Sequence, residues 1–212
     1  ALYNKKKAGA IGDVGSFSFY ANKIITTGEG GMVVTDDEET AERARSYRNL
    51  CFKPGRRFYH TELGENFRMT NLQAAVGVAQ LEQIDRFVEI KREMARKYSK
   101  GLASLPGIKL PVEKPGVKNV YWMYAIELAE ESGFDAEQLA ALLAERGIAT
   151  RPFFLGLHEQ PVFHDLGLFV GERYPVAERI ARQGLYLPSG LTITDEQISV
   201  VITAIQEALC HE

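Results

Sequence analysis

Two short β-prone runs, separated by a lysine and a glycine-rich turn, constrain this chain more than any other feature. The segment reads Gly15-Ser-Phe-Ser-Phe-Tyr-Ala-Asn-Lys23-Ile-Ile-Thr-Thr-Gly-Glu-Gly-Gly31. Ser16 to Tyr20 alternates small polar and aromatic residues, which is the period of a strand. Gly31 to Thr35 is rich in β-branched residues after glycine punctuation, so a second short strand is expected there. Between the two, one amine is held at a fixed point. A positioned, desolvated lysine can form a Schiff base with an aldehyde. A solvated lysine at a hairpin corner accounts for the same spacing, because lysine at strand ends is ordinary. The Gly28-Glu-Gly-Gly31 turn leaves a similar choice. Such turns cradle phosphates in the right context, and a tight hairpin explains these glycines equally well.

Helix signals organise the rest. Asp36 with Glu39 has capping-box spacing and predicts a helix to about Tyr47. Asn49 to Arg68 reads as a loop carrying Pro54-Gly-Arg-Arg57, aromatics and His60, and irregular stretches of that length are functional or disordered. Thr70 and Gln73 form a second capping box. The apolar positions Leu72, Val76, Leu81, Ile84 and Val88 keep helical spacing, and the pattern runs to about Leu102, predicting one long bridging helix. Leu105 to Gly116 is rich in turns. Beyond it the pattern is α+β. A strand is expected over 120–128, then a helix capped by Asp135 and Gln138 with Leu139, Leu142 and Leu143 on one face and Gly147 as its stop. A short strand over 148–151 follows, then a helix from Pro175 to Gly184 and a strand over 185–187. Thr194 and Gln197 cap the last helix, which turns Ile198, Val201, Ile202, Ile205 and Leu209 inward. These signals predict an α/β chain with a boundary near residue 104, dividing it into 1–104 and 105–212.

Composition excludes several classes. A chain of 212 residues can bury a real core. Its net charge of −3 marks no nucleic-acid partner. Lys5, Lys6 and Lys7 read as a solvated turn. No apolar run approaches the roughly 18 residues that span a bilayer, so no membrane partner is expected, and no signal peptide pattern is seen. Cys51 and Cys210 share no metal or redox spacing, and the four histidines show no ligand spacing, so no metal is expected. A cytoplasmic location is the default expectation.

Gly12-Asp-Val-Gly-Ser-Phe-Ser-Phe-Tyr-Ala-Asn-Lys23 followed by Thr26-Thr-Gly-Glu-Gly-Gly-Met-Val-Val-Thr35 closely resembles the internal-lysine segment of the DegT/DnrJ/EryC1/StrS aminotransferases. The resemblance continues, in order, through Gly64-Glu-Asn-Phe-Arg-Met-Thr-Asn-Leu-Gln-Ala-Ala75, Asn119-Val-Tyr-Trp-Met-Tyr124, Gly147-Ile-Ala-Thr-Arg-Pro-Phe-Phe154 and Leu185-Tyr-Leu-Pro-Ser189. It implies a remnant of the fold-type-I large domain followed by a small C-terminal α/β domain. It also implies pyridoxal 5'-phosphate as cofactor, with nucleotide-sugar and amino-acid substrates. The reaction it points to carries an amino group from glutamate to C4 of a nucleotide-linked 4-keto-6-deoxy sugar. Family members are longer, so the chain is expected to be their C-terminal part, and Ala1 in place of an initiator methionine agrees. The other half would supply the acid facing the pyridine nitrogen.

The resemblance assigns roles residue by residue. Lys23 becomes the Schiff-base lysine, and lysine where related dehydratases carry histidine favours amino transfer. Ser18 would bind the cofactor phosphate. Its odd offset from Lys23 points to the opposite strand face unless Ala21-Asn22 bends the chain, and a buried hydroxyl bonded to backbone is the alternative. Asn66 would reach the phosphate of a neighbouring subunit, implying a homodimer with shared sites. Arg68 at the same helix start suits an anion, or a surface ion pair. Arg151, Phe153 and His158 suit a nucleotide sugar, with rings for stacking and charge for the diphosphate. A hydrophobic packing loop is the alternative. His60 is either a substrate contact or an exposed loop histidine, and His164 and His211 carry no signal. A reading of another class stays open: an inactive C-terminal fragment, forming a dimerising α/β module without a complete cofactor site.

Overall fold

The computed structural model of the chain describes residues 1–56 and 58–210. Arg57, His211 and the Cys210 side chain, all noted in the sequence, lie outside the described residues. In chain order the first elements are β1 (Leu2–Tyr3), β2 (Lys6–Lys7), β3 (Gly15–Ser18), β4 (Gly31–Val34) and α1 (Glu38–Tyr47). There follow α2 (Asn71–Leu81), α3 (Ile84–Leu102), β5 (Ile108–Lys109), β6 (Val117–Lys118), β7 (Tyr124–Leu128) and α4 (Ala136–Glu145). The last are β8 (Arg151–Pro152), α5 (Pro161–Asp165), α6 (Pro175–Gln183), β9 (Gly184–Leu187) and α7 (Asp195–Cys210). The mixed α/β class expected from the sequence is what forms.

Two compact units divide the chain, one of residues 1–88 with 113–120, the other of 89–112 with Tyr121 onward. The division falls inside α3, whereas the turn-rich passage in the sequence suggested residue 104. The reason is the helix itself. Lys91, Met94, Ala95, Tyr98 and Leu102 recur along one helical face and are all buried, so this stretch belongs to the core of the second unit.

In the first unit β3 and β4 pair antiparallel, Gly15 opposite Val34 and Ser18 opposite Gly31. β1 and β2 form a hairpin across Asn4 and Lys5, both at positive φ, and β6 pairs on the other edge of β1. The cap of α1 is Asp37, one residue beyond the Asp36 read from the sequence. Its Oδ2 accepts from the Thr40 N–H at 2.7 Å. The Thr70–Gln73 capping box forms as expected. The long helix is interrupted, however: a turn at Glu82 and Gln83 separates α2 from α3, with the Gln83 N–H bonded to Gln80 O at 3.0 Å. Among the described residues of this unit only Gly15, Thr27 and Cys51 are buried. The apolar side chains of Met32, Val33, Leu72, Val76 and Leu81 all face water.

The second unit holds the hydrophobic core. Its antiparallel sheet runs β5-β7-β9-β8. Tyr124, Ile126 and Leu128 alternate inward along β7, as a strand period of two requires. They join Leu185 and Leu187 of β9, Leu139 and Leu143 of α4, and Ile198, Val201 and Ile205 of α7 in one cluster. Each such side chain, once fully buried, contributes roughly 1.5–3 kcal/mol. The Asp135–Gln138 and Thr194–Gln197 boxes both form. Among the described residues no helix is long and apolar enough to cross a membrane.

Candidate active site

Lys23 lies on a loop that the hairpin closes and one helix pins. The Phe19 N–H donates to Gly30 O at 2.8 Å and the Thr27 N–H to Phe19 O at 3.0 Å, so strand pairing persists beyond β3 and β4. Within the loop the Lys23 N–H donates to Tyr20 O at 3.0 Å. That tight turn is the bend at Ala21-Asn22. α2 then grips the loop from one face. Gln80 donates from Nε2 to Thr26 O and accepts from the Thr26 N–H at Oε1, both at 3.0 Å. Gln73 donates from Nε2 to Glu29 O at 3.1 Å. Between them, Gly77 lets the Thr27 methyl sit where any Cβ would lie 2.9 Å away. Gln73, Gly77 and Gln80 are spaced i, i+4 and i+7, one helical face. That spacing was legible in the sequence and its meaning was missed, since polar residues on an exposed helix read as solvated. The outcome is a half-exposed lysine side chain on a loop held by hydrogen bonds to the hairpin and to α2.

Ser18 ends β3 with an exposed side chain, and its Oγ accepts from the Tyr20 N–H at 3.3 Å. Its own O–H therefore stays available to donate. Asn66 and Arg68 are brought together: Arg68 donates from Nε to Asn66 Oδ1 at 2.8 Å and from Nη1 to Asn49 Oδ1 at 3.0 Å. A β-bridge between Asn49 and Asn66 fixes the pair. Asn49, Phe52, Lys53, Gly55, Arg56 and Arg68 line a concavity of about 430 Å³. His60 stands apart from it. Its Nδ1–H donates to Leu50 O at 2.7 Å, and its ring lies 5.0 Å from that of Phe52.

In the second unit the three predicted residues occupy different environments. Arg151 is exposed on β8. Phe153 is half-buried, stacked on Tyr186 with centroids 4.4 Å apart. His158 is buried, edge-on to Tyr174 with centroids 4.8 Å apart, and its Nε2 is 3.4 Å from Glu178 Oε1. Among the described residues no group of three or more His, Cys, Asp or Glu could hold a metal. The lysine loop fits an aldehyde cofactor carrying an anionic group. It offers a primary amine on a pinned turn and a hydroxyl donor at Ser18, and Asn66, on a separate segment, presents amide donors while Arg68 occupies its oxygen.

Solved structures place this fold in the aminotransferase class. The aminotransferase TlmJ from Streptoalloteichus hindustanus matches with a TM-score of 0.88 at 30% identity, over 98% of this chain and 55% of that one. Residues 1–206 match the DegT/DnrJ/EryC1/StrS aminotransferase family, and the chain belongs to it. A GDP-perosamine synthase of Caulobacter vibrioides is 38% identical over 213 residues, covering 99% of this chain and 56% of its own length. EpsN of Bacillus subtilis, described as a putative pyridoxal phosphate-dependent aminotransferase, is 37% identical over 99% of this chain and 53% of its own length. The chain thus spans about half the length of the curated relatives it matches. The family resemblance read from the Lys23 segment is borne out.

Proposed function

We propose that this chain is the C-terminal part of a pyridoxal phosphate-dependent aminotransferase, moving an amino group from glutamate to C4 of a nucleotide-linked 4-keto-6-deoxy sugar. The observation that carries the proposal is the lysine loop: Lys23 is presented by a turn that α2 grips through Gln73 and Gln80. The relatedness to a GDP-perosamine synthase supports the sugar and the carbon position. Pyridoxal phosphate, when bound, supplies the electron sink. The protein supplies position and protons. The Lys23 amine anchors the cofactor aldehyde and, once displaced, carries the proton between the reacting carbons. Ser18 donates its hydroxyl to the phosphate, and Asn66 donates its amide to the phosphate held by a second copy of the chain in a homodimer. Arg68 and His60 in the first unit, and separately Arg151, Phe153 and His158 in the second, are the candidate nucleotide-sugar residues, with His158 supporting Phe153. The two units correspond, on this reading, to the large-domain remnant and the small domain, and the reaction belongs in the cytoplasm.

A second reading has an observation in its favour. The first unit buries so little among its described residues that the 212-residue chain is an α/β module with an incomplete cofactor site. One experiment separates the two. The 212-residue chain and the polypeptide extended to the relatives' full length are each assayed for amine transfer on a panel of nucleotide 4-keto sugars, with Lys23→Ala as control; transfer by the extended polypeptide alone marks the 212-residue chain as the incomplete module. Transfer to the 4-position that Lys23→Ala abolishes supports the enzyme. No transfer to any member of the panel refutes it.

A further inference from the structure

We propose that His158 is a positioning residue: through the Glu178 carboxylate it fixes the Phe153–Leu157 segment in the conformation that meets the nucleotide sugar. This rests on the aminotransferase reading above. The ring is the floor of that segment. A Cβ on Gly156 would come within 2.5 Å of His158 Cε1 and 2.6 Å of Nδ1, so the backbone closes directly over the imidazole. The side chain is 7% exposed, and its Nε2 lies 3.4 Å from Glu178 Oε1. That contact is an ion-pair approach outside hydrogen-bond geometry, and no hydrogen-bond partner meets the nitrogen among the described residues. A buried polar atom of this kind costs free energy unless something pairs with it. An apolar side chain of similar size would fill the space without that cost, so the contact to Glu178 is the reason to have a histidine.

Glu178 is built to stay put and stay charged. It accepts from Arg173 Nη2 and from the Tyr174 N–H, both at 2.8 Å. The Arg173 guanidinium, chiefly, draws the Glu178 carboxyl down to about 2. His158 is tied elsewhere too. Its carbonyl accepts from His164 Nε2–H at 2.6 Å, and the neighbouring Glu159 pairs with Arg182 of α6 at 2.5 Å. Helix α6 therefore holds residues 156–159 through side chains of one face. Immediately upstream, Phe154, Leu155 and Leu157 stand 69%, 43% and 62% exposed. Adjacent apolar side chains held toward water mark a contact surface, and His158 is the buried anchor that holds them there.

The test has two arms and three variants. His158→Ala removes ring and donor, His158→Phe keeps the ring and removes the donor, and His158→Gln keeps an N–H donor of similar reach. On the 212-residue chain, chymotrypsin cleavage within 153–157 is expected to rise about tenfold in the Ala and Phe variants, the size of one lost polar contact to a buried charged group. The Gln variant is expected to return to near wild-type cleavage. In the full-length holoenzyme, the Ala and Phe variants are expected to raise KM for the nucleotide sugar about tenfold, with kcat and the amino-donor KM within about twofold. Wild-type cleavage in His158→Phe overturns the anchor. Raised cleavage with unchanged KM, or a loss in kcat alone, overturns the link to substrate. Failure of the aminotransferase reading shows separately, as absence of transfer by the wild type, and leaves the cleavage arm to decide the anchor.

Discussion

Lys91 should make the stability of this chain rise in alkaline solution. It lies on α3 at 2% exposure, and its ammonium donates to the Ser189 carbonyl. Burial draws the amine from 10.5 to about 8. Below pH 8 both the folded and unfolded chains carry the charge, and the cost of burying it is fully present. Between about pH 8 and 10.5 the unfolded chain binds more protons than the folded one, so stability rises with pH. Integrating those two values gives a gain of about 2.5 kcal/mol between pH 7 and pH 10, about half of it by pH 9. The substitution Lys91→Met keeps the volume and abolishes the proton. It leaves the Ser189 carbonyl short of a donor, at about 1 kcal/mol. The variant should therefore be about 2 kcal/mol more stable than wild type at pH 7, with the two converging near pH 10. Urea unfolding of both chains at four pH values measures this, and taking the difference cancels the other lysines and tyrosines. A difference that stays flat with pH would show that the folded amine titrates normally and would refute the reasoning.

Three other outcomes follow from the same contacts. Hydrogen exchange on the 212-residue chain should find the amides of α7 and the C-terminal part of α3 most protected and those of β3 and β4 least, because the core cluster lies in the second unit; uniform protection would contradict this. Asp135→Ala removes a capping box from α4 and should lower stability by about 1 kcal/mol without changing the denaturant slope. Asn66→Ala in the full-length protein should speed pyridoxal phosphate loss during dialysis while leaving the unfolding midpoint of the cofactor-free protein in place; equal retention would remove Asn66 from the site.

Local signals carried three helix starts well. Thr70, Asp135 and Thr194 each sit three residues before a glutamine, and each box forms, because capping depends only on neighbours in the chain. The same rule selects Asp36, which has Glu39 three residues on, yet the cap that forms is Asp37, whose carboxylate accepts from the Thr40 N–H without a box partner. The helix expected from 70 to 102 kept its apolar period across the turn at Glu82 and Gln83, so periodicity alone could not reveal the break. Lys91 illustrates a different limit. Its neighbours at Met94, Ala95 and Tyr98 place it on the buried face, but a lysine there reads as solvated until a carbonyl from residue 189 arrives to meet it. The candidate site divides in the same way. Lys23 was legible from its own segment, whereas the grip of Gln80 on Thr26 joins residues 54 positions apart, and no local pattern announces that.

On the aminotransferase proposal, Lys23 is the covalent anchor of the cofactor. The direct measurement is borohydride reduction of the full-length protein after incubation with pyridoxal phosphate, followed by peptide mass spectrometry. A phosphopyridoxyl group is expected on the peptide carrying Lys23 and is expected to be absent from the Lys23→Arg variant. Modification of another lysine in its place, or the same labelling in Lys23→Arg, would contradict it.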